Sequence, residues 1–336
     1  MNGASRLPLV TFYLSERCNS RCVTCDYWRY GKRDVSLASI EKQLPDLAAL
    51  GTKVALISGG EPLLNPEWPQ IAGLLRGTGL RLWLLTSGLS LGKHARRAAE
   101  LFETITVSLD GTCAATYAAI RGLDAFDKVC EGVRAAVACG ATVSLRVTVQ
   151  RANYRELPRF VTLAHELGVS QISFLAVDVS NPHAFARRDD LSHDLALAVQ
   201  DLPELDALVE TLARTHAADF HSRFIAESPE KLRRLRDYFA ALHGLNAFPK
   251  VRCNAPEFSA VVNVDGNVAP CFFIPGPAPD AEATGLAAEF ASGAMQALRA
   301  DIRAGARAEC ARCVCSMWRD PAVFGAGPLT LSSALA

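Results

Sequence analysis

The stretch "SERCNSRCVTCDYW" (residues 15–28) places Cys18, Cys22 and Cys25 in a C-x3-C-x2-C pattern. Three thiols are one too many for a single disulfide and one too few for a closed tetrahedral zinc site. On their own they admit several readings. They are three buried small side chains, or zinc ligands with a fourth partner from elsewhere. Alternatively they hold three irons of a [4Fe–4S] cluster and leave the fourth iron open. The surroundings decide among these. "LVTFYL" (9–14) is a β-branched and apolar run that reads as a buried strand, so the cysteines follow a strand end.

Further strands are expected at 53–58, 80–86, 104–109, 142–149 and 170–177. Helical patterns lie between them near 36–50, 67–77, 90–100, 126–139 and 153–167. Strand then helix, about six times over, predicts a parallel α/β sheet with right-handed crossovers. Six units fall short of the eight of a closed barrel, so a partial (β/α)6 TIM-like barrel is expected over residues 1–180. Residues 181–250 read as a helical linker or cap, with periodicity near 190–216 and 228–243. A small α+β unit of hairpin and helix is expected over 251–325, and 326–336 reads as a tail. "SAVVNVDGNVAPC" (259–271) is the hairpin, with Asp265-Gly266 at its turn.

Composition narrows the function. Lys plus Arg is 35 and Asp plus Glu is 35, a net charge of zero. That gives no electrostatic case for nucleic acid or an anionic membrane. No apolar run reaches the roughly 20 residues of a membrane helix. "LPLVTFYL" (7–14) has no cleavage site after it, so the expected compartment is the cytoplasm, where thiols stay reduced. Eleven cysteines, eight of them in two groups, then suggest metal rather than disulfides.

In a parallel barrel, ligands gather at the C-terminal ends of the strands. "SGGEP" (58–62), "TSG" (86–88) and "SLDG" (108–111) end strands two to four, on the same face as the cysteines. Paired glycines let backbone approach a ligand closely. Asp110 is either a functional carboxylate or ordinary Asp-Gly turn chemistry. Arg146 interrupts an apolar strand and needs a partner, so it is expected to point into the barrel mouth; it and Asp110 are the catalytic candidates. Arg121 reads as a solvated side chain. Cys113, Cys130 and Cys139 read as small buried hydrophobes.

"CNSRCVTC", "LISGGEPLLNPEW", "LLTSG" and "VSLDG" in this order, over about residues 9–177, resemble the radical S-adenosylmethionine superfamily. The resemblance implies that Cys18, Cys22 and Cys25 bind a [4Fe–4S] cluster. S-adenosylmethionine would chelate the fourth iron and be cleaved to a 5′-deoxyadenosyl radical. It places Gly59, Gly60, Glu61 and Pro62 beside the methionine moiety, with a backbone edge or a carboxylate toward its ammonium. Ser87 and Ser108 are the other implied cofactor contacts. Thr24 and Ser87 depart from the residues many members carry there.

A second group is Cys253, Cys271, Cys310, Cys313 and Cys315. Cys253-x12-Gly266-x4-Cys271 resembles the signature of the auxiliary-cluster extensions called SPASM and twitch. The resemblance implies one auxiliary [4Fe–4S] cluster on Cys253, Cys271, Cys310 and Cys313, with Cys315 as a substitute ligand. Four cysteines with one C-x2-C also suit structural zinc. The implied enzyme is an oxidoreductase or bond-forming catalyst acting on a small metabolite, with a flavodoxin or ferredoxin as electron donor. Only seventeen residues precede Cys18, so no leader-binding domain is expected. This favours a small molecule over a peptide substrate. The non-enzyme alternative is an iron–sulfur or zinc-binding sensor.

Overall fold

Alternation along the strands sorts two faces. In β1 (Leu9–Ser15), Val10, Phe12 and Leu14 join the large core beneath the helices. Leu9, on the opposite face, packs with Val54, Leu56 and Trp83 in a smaller inner cluster. The computed structural model describes residues 6–187, 193–279, 284–315 and 317–319. The expected tail therefore lies outside the described residues, as does part of the stretch 190–216.

The other strands are β2 (Val54–Gly59), β3 (Arg81–Thr86), β4 (Thr104–Ser108), β5 (Val143–Val149), β6 (Gln171–Ala176), β7 (Ser259–Val262) and β8 (Val268–Ala269). The sheet order is β6-β5-β4-β3-β2-β1-β7-β8. Each neighbouring pair from β1 to β6 is parallel. This is the expected partial barrel, and each predicted strand is found within two residues of its place. Helix Ala114–Arg121 is among those with no predicted counterpart. Its run "AATYAAIR" is short, and Gly122 ends it in the left-handed conformation at φ 72°.

The predicted hairpin forms as β7 and β8, antiparallel to each other. Beyond the expectation, β7 pairs in parallel with β1 (Leu9 opposite Ser259, Phe12 opposite Val262), continuing the barrel sheet. This covers the β1 edge, which would otherwise offer unpaired backbone groups. The turn residue Asp265 also meets Arg33, which pairs with Glu16 just before the first cysteines.

Phe258, fully buried, joins the inner cluster with Leu9, Val54, Leu56 and Trp83. Cutting it back to alanine would leave a cavity between β7's approach and the sheet. Phe258→Ala should cost about 3–5 kcal/mol in equilibrium urea unfolding. A loss below about 1 kcal/mol would show that this segment does not support the barrel.

Candidate active site

The site is built on backbone pairing between two loops. The Gly60 and Glu61 amides donate to the carbonyls of Ser15 and Arg17, both at 2.7 Å. A Cβ on Gly59 would strike the Ser15 carbonyl, and one on Gly60 the Arg17 carbonyl. Gly59 also has φ 120°, open only to glycine. The glycine pair thus lets the end of β2 press against the chain that leads into Cys18. It serves this contact within the chain before any ligand.

Glu61 is fully buried. Its carboxylate accepts the Leu63 amide at 3.1 Å, the Ser87 amide at 2.7 Å and the hydroxyls of Thr86 (2.9 Å) and Ser87 (2.6 Å). Burial raises its pKa, opposed by these hydrogen bonds. The carboxylate therefore ties the ends of β2 and β3 together. Of the two ways Glu61 was expected to face a ligand, the backbone edge is the one this arrangement leaves open. Pro62 begins a single 3-10 turn, Pro62–Leu64. Asn19, between Cys18 and Cys22, reaches Ser87 (3.1 Å) and Ser90 (3.0 Å) in the loop after β3.

The opposite wall of the cysteine loop is helix Ala114–Arg121. The Arg21 amide donates to the Arg121 carbonyl at 2.9 Å and the Val23 amide to the Ile120 carbonyl at 3.0 Å. Gly122 lies directly against the Arg21 carbonyl, with no room for a side chain. From the third side, Arg187 Nε donates to the Thr24 carbonyl at 3.2 Å. The Asp26 amide donates to the Phe185 carbonyl at 3.1 Å.

Arg121 corrects the sequence reading. It is largely enclosed rather than solvated, its side chain 11% exposed, and pairs with Asp110 at 3.1 Å. Asp110 in turn accepts the Thr148 amide at 2.7 Å, and the Asn153 side-chain amide donates to its carbonyl at 2.9 Å. The carboxylate locks β4 to β5 and holds the arginine. Ser108 stands at the end of β4, opposite Arg146 in the sheet register. Sequence reasoning read Arg121 as solvated because its helix was not predicted.

All three thiols are free. Burial pushes Cys18 up to about 11 and Cys25 up to about 12, and raises Cys22 as well. Cys22 adds to the rise at both Cys18 and Cys25, while Arg121 lowers all three. Three thiols within one another's field beside a largely enclosed cation are a donor set that suits an iron–sulfur cluster. Metal binding supplies the free energy that deprotonates such thiols.

The second group is reached from Tyr13 through Phe272, the neighbour of Cys271. Tyr13 is raised well above the ordinary phenol range by burial, then by Tyr27, Cys271 and Cys25. Its ring meets Tyr27 edge-on (6.0 Å between centroids) and Phe272 (6.3 Å). Burial raises Cys271 and Cys313, the latter also through Cys315, Cys271 and Cys253. Cys310 is raised by burial and then by Cys253. Cys315 packs on the inner cluster. Among the described residues, no three His, Cys, Asp or Glu side chains converge on the position of a single metal ion. Of the remaining cysteines only Cys130 is buried; Cys113 and Cys139 are exposed, contrary to expectation.

Residues 12–164 match the family model "Radical SAM superfamily". This chain carries a radical SAM domain. It is 28% identical over 221 residues to the Fe-coproporphyrin III synthase of Methanosarcina barkeri, covering 63% of this chain and 53% of that one. It is 30% identical over 216 residues to the pre-heme d1 synthase of Dinoroseobacter shibae, covering 62% and 53%. The chain thus spans about half the length of these curated relatives. The fold resembles Streptococcus suis SuiB bound to its precursor peptide SuiA, with a TM-score of 0.67 and 14% identity over 93% of this chain and 72% of that one. The radical SAM domain contains the cysteine loop, the Gly59–Glu61 edge and the Arg121–Asp110 pair. No described helix is long and apolar enough to cross a membrane.

Removing Arg121 would leave the buried Asp110 carboxyl without its cation. Arg121→Met should cost about 3–5 kcal/mol. Adding Asp110→Asn should recover about 1–3 kcal/mol of coupling in a double-mutant cycle. Additive losses, or an Arg121→Met cost below about 0.5 kcal/mol, would contradict the buried pair.

Proposed function

We propose that this chain is a radical SAM enzyme that oxidises or couples a small metabolite. Cys18, Cys22 and Cys25 would bind the site-differentiated [4Fe–4S] cluster. The single observation that carries the reading is the pairing of the cysteine loop with the Gly59–Glu61 edge. It sets three free thiols beside a backbone edge at the C-terminal ends of a parallel sheet. Together the bound cluster and S-adenosylmethionine supply one-electron chemistry: reductive cleavage of the sulfonium and removal of a hydrogen atom from the substrate.

The chain's own residues position and enclose. The Glu61 carboxylate is fully engaged with Thr86, Ser87 and Leu63, so backbone groups of Gly59 to Glu61 are left for the methionine ammonium. Ser87 and Ser108, at the ends of β3 and β4, would flank the rest of the cofactor. Arg121 favours thiolates at all three cysteines. Asp110 acts through Arg121 and Thr148, which makes it a positioning residue. The segment around Phe185 and Arg187 braces the loop through hydrogen bonds at Thr24 and Asp26.

Cys253, Cys271, Cys310 and Cys313 would hold one auxiliary cluster. Support comes from Tyr13, whose ring meets Tyr27, two residues after Cys25, and Phe272, next to Cys271. A fully cysteine-ligated cluster has no open iron for substrate, which suits electron uptake. A flavodoxin or ferredoxin would deliver the initiating electron, and a reducing cytoplasm suits the free thiols.

Anaerobically reconstituted protein should carry about eight irons, two [4Fe–4S] clusters. Replacing Cys18, Cys22 and Cys25 by Ala should remove about four of them and abolish 5′-deoxyadenosine formation from S-adenosylmethionine and dithionite. Continued cleavage by the triple variant would overturn the assignment. About four irons with stoichiometric zinc in the parent protein would replace the auxiliary cluster with a structural metal.

A further inference from the structure

The second cysteine group comes to the surface at Cys253, which is exposed. Two segments run side by side there. The Asn254 amide donates to the Met317 carbonyl at 2.8 Å, and the Arg319 amide donates to Asn254 Oδ1 at 2.9 Å. Arg252 lies over the Trp318 ring, 3.9 Å from its centroid, and Arg312 lies over Phe248 at 5.7 Å. The segments that carry Cys253 and Cys313 therefore share one face.

That face is basic. Lys250, Arg252 and Arg312 are exposed, and none of them forms an ion pair among the described residues. Residues 244–256 hold no acid. The acids that flank the two segments are engaged: Glu257 by Arg299 and Arg303, and Glu309 by Arg307 at 2.6 Å. Leu245, on the same segment as Phe248, is 58% exposed. The first cysteine loop has a different balance, because Arg17 pairs with Asp34, Arg29 with Asp26, and Arg33 with Glu16 and Asp265. Unpaired cations beside an exposed apolar side chain favour an acidic protein partner. An arginine already stacked on an aromatic ring loses little further freedom when it meets a partner's carboxylate.

We propose that this face docks an acidic one-electron carrier protein of the ferredoxin or flavodoxin kind. The proposal rests on reading Cys253, Cys271, Cys310 and Cys313 as ligands of an auxiliary cluster, and it names the partner of that site. One of those thiols, Cys253, is at the surface, so a carrier seated on Lys250, Arg252 and Arg312 lies directly against a ligand. The oxidised carrier would accept the one electron that substrate oxidation leaves behind. Its gain balances that loss, and no bond or proton passes between the two proteins. The cations would steer the encounter and make it salt-dependent, and Leu245 would supply apolar contact.

The test uses the full, anaerobically reconstituted chain with a plant-type ferredoxin, a flavodoxin and, as a redox-inactive polyanion, poly-glutamate. Calorimetry should show a carrier binding with an affinity that falls as salt is raised. Lys250→Glu/Arg312→Glu should weaken that binding roughly tenfold or more, while iron content and S-adenosylmethionine binding stay unchanged. Arg21→Glu/Lys32→Glu, at exposed positions of the first cysteine segment, should leave it unchanged. On the unmodified protein, carbodiimide should link Lys250 to a carrier carboxylate. The proposal is overturned if neither carrier binds, if poly-glutamate binds as tightly as the carrier, if only the Arg21/Lys32 variant loses binding, or if links form at Lys32 and not at Lys250. The two readings fail separately. Two clusters in a protein whose Cys253 face binds no carrier remove the docking assignment alone. A carrier that docks there on protein holding zinc in the second site removes the auxiliary cluster alone.

Discussion

The buried carboxylate of Glu61 is the constraint on which the site depends. It stands at the junction of two strand ends and takes four donors from Leu63, Thr86 and Ser87. A buried carboxylate is tolerated only when its lone pairs are filled. Filling them fixes where β2 stops and where the loop after β3 begins. The neighbouring Gly59 and Gly60 then let the chain before Cys18 pack with no side chain between. The thiols are placed by backbone on both sides, from Ser15 and Arg17 to one strand end and from Arg21 and Val23 to Arg121 and Ile120.

Electrostatics complete the frame. Burial pushes Cys18, Cys22 and Cys25 up from the ordinary thiol range. Arg121 opposes that, and Asp110 keeps Arg121 in place. The same economy recurs at the second group, where the charges of Arg146 and Lys231 lower Cys315. Both groups therefore set thiols that burial raises near cations that lower them, and Tyr13 lies in the field of each.

Much of the fold was legible from residue 9 to 177, because each strand is a β-branched apolar run and each crossover is long enough to bury a helix. The parallel order follows from the alternation. What escaped was tertiary in origin. Helix Ala114–Arg121 is eight residues long, too short for its periodicity to stand out, so the enclosure of Arg121 was invisible. The pairing of β7 with β1 is a contact across some 250 residues of chain, which no local pattern encodes. Glu61 was visible as part of "GGEP", but the direction of its carboxylate depended on Thr86 and Ser87, on another strand.

The central claim is that three thiols hold a cluster with one iron left for S-adenosylmethionine. Mössbauer spectroscopy of the 57Fe-reconstituted Cys253→Ala/Cys271→Ala variant, with the auxiliary site disabled, tests it most directly. Adding S-adenosylmethionine should shift about one iron in four toward a higher isomer shift, as expected for an iron that gains nitrogen and oxygen ligands. A four-iron spectrum that S-adenosylmethionine leaves unchanged would contradict the account.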